Sequence, residues 1–144
     1  MRRAFCFLTL ALIAGFSTAR GASDIWSALV LAGNEQPAKP VPKELEPFAA
    51  GLRSIFGYNT FYLMAAGQEQ IRKGDEEWIV PTKQVFMKLR CLDRTDGVYR
   101  LQIELYVKKK AVANSEVKLA RGAPLYVRGP GYGRGRLVFI LEVR

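Results

Sequence analysis

The spacing of apolar residues changes period along the chain, and each period predicts a different element. In residues 43–56, Leu45, Phe48, Leu52, Ile55 and Phe56 recur at steps of three and four, the spacing of one helical face. Glu44 and Glu46 in its first turn and Arg53 in its last suit the helix dipole. Pro47 is tolerated only in that first turn, which delays the regular helix, and Gly57 supplies a stop. The opposite face is not Lys-rich, so the stripe is expected to pack on the domain's own sheet rather than on a membrane.

Beyond Gly57 the period falls to two. Phe61, Leu63 and Ala65 share a parity in 60–66, and 77–80 reads as a short strand closed by Pro81. Val85, Met87, Leu89 and Cys91 alternate with Phe86, Lys88, Arg90 and Leu92. Tyr99, Leu101, Ile103, Leu105 and Val107 form the cleanest half-buried strand, reached through an Asp96-Gly97 hairpin turn. Further strands are predicted over 112–119, around Leu125-Tyr126-Val127, and over 136–143. The last is apolar on both faces, which places it inside a sheet or beneath a covering element.

This order predicts a mainly β fold, with α+β as its variant. The expected form is an antiparallel β-sandwich, or a sheet of about six short strands, with one N-terminal amphipathic helix packed on it. Residues 25–32 fit either a short helix capped by Asp24 or an edge strand. Pro37, Pro40 and Pro42 make 34–42 an extended spacer.

The N-terminus reads as an address. Arg2 and Arg3 precede an apolar stretch over 4–16 and the small residues Ser17, Thr18 and Ala19, the order of a secretory signal peptide cleaved after Ala19. The expected organisation is a signal peptide at 1–19, an N-terminal segment and spacer at 20–42, and one β-rich domain at 43–144. The mature chain is expected outside the cytoplasm, periplasmic or extracellular. No apolar run reaches the ~18 to 20 residues of a spanning helix.

Composition narrows the chemistry. The 144 residues, 49% hydrophobic, suffice for one core, and the absence of His excludes Ser-His-Asp, Cys-His and His-ligated metal chemistry. Cleavage removes Cys6, so Cys91 has no partner for an internal disulfide and is expected to be a small buried residue. A hydrolase cleft would need Glu77 and Asp93 to meet, but nothing selects them, and turn and loop solvation explains both. No catalytic residue, metal ligand or cofactor is assigned, and the expectation is a protein that is not an enzyme.

Charge points to binding instead. Residues 24–82 carry five Lys+Arg against eight Asp+Glu, a net −3, while 83–144 carry fourteen against five, a net +9. Such a half attracts anions. Arg128, Tyr132, Arg134 and Arg136 cluster about the Gly-rich stretch 129–135, with Lys108, Lys109 and Lys110 as outlying support. Exposed amides, guanidinium forks and an aromatic ring suit a phosphate, carboxylate or sugar ring. A glycine-rich hairpin connection explains the same letters. A nucleotide loop is excluded because a strand follows where a helix is required. The expected partner is an anionic glycan, a lipid surface or an acidic envelope protein, and nucleic acid is disfavoured outside the cell. The alternative is a structural or assembly component of an envelope or secretion complex.

Overall fold

The computed structural model describes residues 23–79 and 82–144. The expected signal peptide, its cleavage site, Cys6 and the Val80-Pro81 strand end lie outside them. In chain order the elements are β1 (Ser23–Gly33), a 3-10 turn (Lys43–Phe48) running into α1 (Ala49–Phe56), and β2 (Thr60–Ile71). There follow β3 (Glu76–Ile79), β4 (Val85–Thr95), β5 (Val98–Val107), β6 (Lys110–Ala120), β7 (Leu125–Tyr132) and β8 (Gly135–Val143). Two antiparallel four-stranded sheets result, ordered β2-β1-β8-β7 and β3-β4-β5-β6.

The sheets face each other across one core. Ile25, Leu29, Phe139 and Leu141 from the first meet Met87, Leu89, Leu101 and Ile103 from the second. Cys91 is buried there, and loss of water pushes its thiol pKa up, so it serves as a small apolar residue. The fold is therefore mainly β and sandwich-like, with eight strands among the described residues where the sequence pattern predicts about six.

The difference begins at β1. Neither the short helix nor the edge strand expected over 25–32 is formed, because β1 lies between β2 and β8. Ile25 and Leu29 enter the intersheet core, whereas Trp26, Ala28, Val30 and Ala32 turn to the opposite face. A strand covered on both sides loses its polar alternation, and that erased the signal. The proline-rich segment consequently connects β1 to the helical turn within the fold, and Lys39 N–H donates to Thr60 Oγ1 at 3.2 Å.

The helical segment covers the outer face of the first sheet. Leu45, Phe48 and Leu52 pack on Trp26, Val30, Val138 and Ile140, each such burial stabilising by roughly 1.5–3 kcal/mol. This explains why β8 is apolar on both faces. Pro47 falls in the 3-10 turn, and Gly57 ends α1 at φ 70°, its N–H reaching Arg53 O at 2.9 Å. Ile55 departs from the expected stripe and is 53% exposed.

The sandwich has two distinguishable ends. Arg121 bridges Val143, and Gly122 N–H donates to Val143 O at 2.8 Å, so the last residues of β6 and β8 meet. The β5–β6 and β7–β8 hairpin tips lie at the other end of their strands.

Candidate binding end of the sandwich

The Gly-rich stretch is mostly strand. Gly129, Pro130, Gly131 and Tyr132 continue β7 through a register shift, and only Gly133 and Arg134 form the turn. Of these glycines Gly133 alone takes a left-handed φ, 57°. The others permit close approach: a Cβ on Gly129 would stand 2.7 Å from Leu137 O, and one on Gly135 would collide with Ala32 O. The stretch is thus a hairpin connection, as its glycines suggest, close-packed and with a two-residue tip in which one glycine needs a positive φ.

That hairpin divides the predicted arginines. Arg136 Nη1 donates to Gly129 O at 2.9 Å, and Arg128 lies 5.5 Å over the Phe56 ring on the helix side. Tyr132 and Arg134 instead line a cleft of about 360 Å³ on the other face. Lys108 and Lys109 form the β5–β6 tip, with Lys110 opening β6. Lys108 N–H donates to Gln84 O at 2.7 Å, bringing the segment that carries Lys83 against this tip.

Each strand of the first sheet contributes to the cleft. Tyr62 on β2 stands opposite Leu31 on β1, and Tyr132 on β7 opposite Gly135 on β8. Opposed residues project to one side of an antiparallel sheet, so two tyrosines flank a floor of Gly33 and Gly135. Tyr62 O–H donates to Glu35 Oε1. This bond, then partial burial and the Glu35 charge, raise the tyrosine pKa.

Glu35 is held in turn: its N–H donates to Asn59 Oδ1 and its carbonyl accepts from Asn59 Nδ2, both at 3.0 Å. Sequence reading missed Tyr62 and Glu35, because their 27-residue separation leaves no local motif.

Ion pairs hold several of the cations on the sheet faces. On the outer face of the second sheet, Lys88 pairs with Glu104 at 3.0 Å and Glu76 at 3.7 Å, and Arg90 with Glu76 at 2.9 Å. Arg100 pairs with Glu116 and Arg144 with Glu142. None of the ion pairs among the described residues reaches Lys83, Lys108, Lys109, Lys110, Arg128, Arg134 or Arg136.

Two other surfaces differ in kind. A wider depression of about 630 Å³ includes Asp93, Asp96, Arg100, Glu116 and Lys118, of both signs. Within it, the Arg94 backbone N–H and nearby Lys73 hold Asp93 below the usual carboxylate range. Glu77 is not part of that depression. Beside the Lys88 network, Trp78, Phe86 and Tyr106 form an aromatic cluster with Phe86 stacked on Tyr106 at 4.8 Å. Phe86 and Tyr106 are register partners, and the period-two reading contained that signal.

Among the described residues, no group of three His, Cys, Asp or Glu side chains could hold a metal ion, and no helix is long and apolar enough to cross a membrane. Comparison with family models, curated proteins and solved structures returned no match.

Proposed function

We propose that this protein is an exported, non-catalytic binding domain that engages an anionic partner at the end of the sandwich carrying the two basic hairpin tips. The observation that carries the reading is charge left uncompensated. Lys88, Arg90, Arg100 and Arg144 have carboxylate partners, whereas among the described residues no ion pair reaches Lys108, Lys109, Lys110 or Arg134 at the two tips. Unneutralised cations project a field over about 8 Å at physiological salt and attract anions of many kinds.

Backbone conformation supports the same reading. Lys108 and Lys109 occupy φ 50° and 66°, where Asn-Gly is the usual solution and other L-residues are strained. Two adjacent lysines held in a strained conformation present positive charge at a cost in backbone energy, as a binding tip would.

The test measures binding to acidic polysaccharide and to anionic vesicles at two salt concentrations, with Lys108→Gln/Lys109→Gln and Arg134→Gln variants. The expected result is binding at low salt that weakens severalfold at high salt and in each variant. Absence of binding at low salt rejects the reading.

A second reading, assembly into an envelope or secretion complex, is favoured by β6. It is an edge strand of eleven residues, largely exposed, with Ala111, Val112 and Ala113 in sequence. Such an edge offers unpaired backbone groups to another strand. A partner that co-purifies through high salt and is lost with Val112→Pro supports this reading.

A further inference from the structure

We infer that the cleft between Tyr62 and Tyr132 binds one acidic sugar unit, a pyranose bearing a carboxylate, of a polyanionic glycan. The inference rests on the anion-binding reading above and names the ligand class for the same end of the molecule.

The shape of the cleft comes from strand order. Tyr62 on β2 and Tyr132 on β7 belong to the outer strands, with β1 and β8 between them. Three interstrand spacings and a two-residue offset along β8 separate their backbones by about 16 Å. Between them the sheet presents Gly33 and Gly135, whose backbones lie so close that a Cβ on Gly33 would stand 4.0 Å from Gly135 Cα. With Leu31 beside Tyr62 and the two glycines toward Tyr132, the floor between the aromatic rings is a low trough for a flat, partly apolar guest. Tyr62 is 39% and Tyr132 45% exposed, so both rings are open to contact. The volume, about 360 Å³, lies at the small end of the roughly 300–1,000 Å³ typical of ligand sites.

The polar groups select the chemistry. Arg134 has no carboxylate partner among the described residues and offers a planar fork suited to a ligand carboxylate. Glu35 lines the same cleft as an acceptor, oriented by Tyr62 and Asn59. A bare phosphate or a lipid headgroup satisfies Arg134 but meets repulsion at Glu35. A uronate satisfies both, giving hydroxyl hydrogens to Glu35 and its carboxylate to Arg134, while its C–H face lies against a tyrosine ring.

The test titrates the purified protein with four probes: oligogalacturonate, a neutral galactose oligomer of equal length, inorganic phosphate, and phosphatidylglycerol vesicles. Three variants accompany the parent. Arg134→Gln removes the fork, Tyr132→Ala removes a wall, and Gly33→Ala adds a methyl to the floor where space permits it. Unfolding midpoints verify that each variant folds.

The expected result is preferential binding of oligogalacturonate, weakened at least about tenfold by Arg134→Gln and severalfold by each of the other two. Equal binding of the neutral oligomer overturns the inference, as does oligogalacturonate binding that Gly33→Ala and Tyr132→Ala leave unchanged. If phosphate or vesicles bind as well as oligogalacturonate, and Gly33→Ala has no effect, the sugar site falls while the basic-end reading stands. If no anionic probe binds, both fall.

Discussion

Trp26 on β1 and Phe48 at the end of the 3-10 turn stack with ring centroids 4.9 Å apart and planes 6° from parallel. The contact fastens the helical segment to the sheet, and Tyr126 O–H adds a bond to Phe48 O at 3.4 Å. Phe48→Ala is expected to lower stability by about 3–5 kcal/mol, a large part of the roughly 5–15 kcal/mol of a typical domain. Urea unfolding checks it. A loss under 1 kcal/mol would mean that this layer contributes little.

The glycines of the last hairpin make a graded prediction. Gly129→Ala drives a methyl against Leu137 O and is expected to cost about 1–3 kcal/mol. Gly133→Ala meets open space but a left-handed φ, so its cost is about 1 kcal/mol. Thermal unfolding of both variants checks the order, and a reversed order contradicts the close-packed hairpin.

The basic tip of β5–β6 is expected to trade stability against binding. Replacing Lys108-Lys109 by Asn-Gly relieves two left-handed lysines and is expected to stabilise the protein by about 1 kcal/mol or more. The same variant is expected to bind anionic probes more weakly. Stability and affinity are measured on one sample, and a gain in both contradicts the role assigned to the lysines.

The network on the outer face of the second sheet sets a pH dependence. Tyr106 O–H, at 2.7 Å, and the Lys88 ammonium hold Glu104 below the usual carboxylate range. The unfolded chain therefore takes up protons at higher pH than the native one. The stabilisation is complete above the unfolded carboxylate pKa and drains away as pH falls through the folded value. The urea midpoint is expected to drop between about pH 5 and pH 2, less steeply in Glu104→Gln. A parallel slope in that variant rejects the linkage.

The same bond acts oppositely on Tyr106, whose pKa it raises above the ordinary 10.0, as Glu35 does for Tyr62. Their contribution is present below the unfolded value and lost as pH rises through the folded one. Spectrophotometric titration is expected to find phenols ionising late, with one such component missing in Tyr106→Phe. A curve unchanged by that substitution refutes the assignment.

What sequence reading recovers here follows from the range of each signal. The helix stop at Gly57, the Asp96-Gly97 turn and the alternation of β4 and β5 are local, and the structure carries them as read. Apolar residues on both faces of β8 correctly call for a cover, which the helical segment provides. β1 carries the same pattern and was read otherwise, because Asp24 and Gly33 mimic helix ends in a run with no polar face. At the candidate site, Tyr132 and Arg134 stand out in sequence as an unusual local cluster, whereas Tyr62, Glu35 and the glycine floor depend on strand order. Arg128 and Arg136 belong to the same cluster but face the other way.

The pairing of β1 with both β2 and β8 also governs when the protein can take shape. The first sheet acquires its middle only when β8 arrives to lie beside β1, so a chain still emerging from a ribosome can complete the second sheet, β3 to β6, but not the first. Contacts of that sequence separation form slowly. Delayed closure of this kind leaves the inner edge of β1 without its second sheet neighbour until β8 has been made.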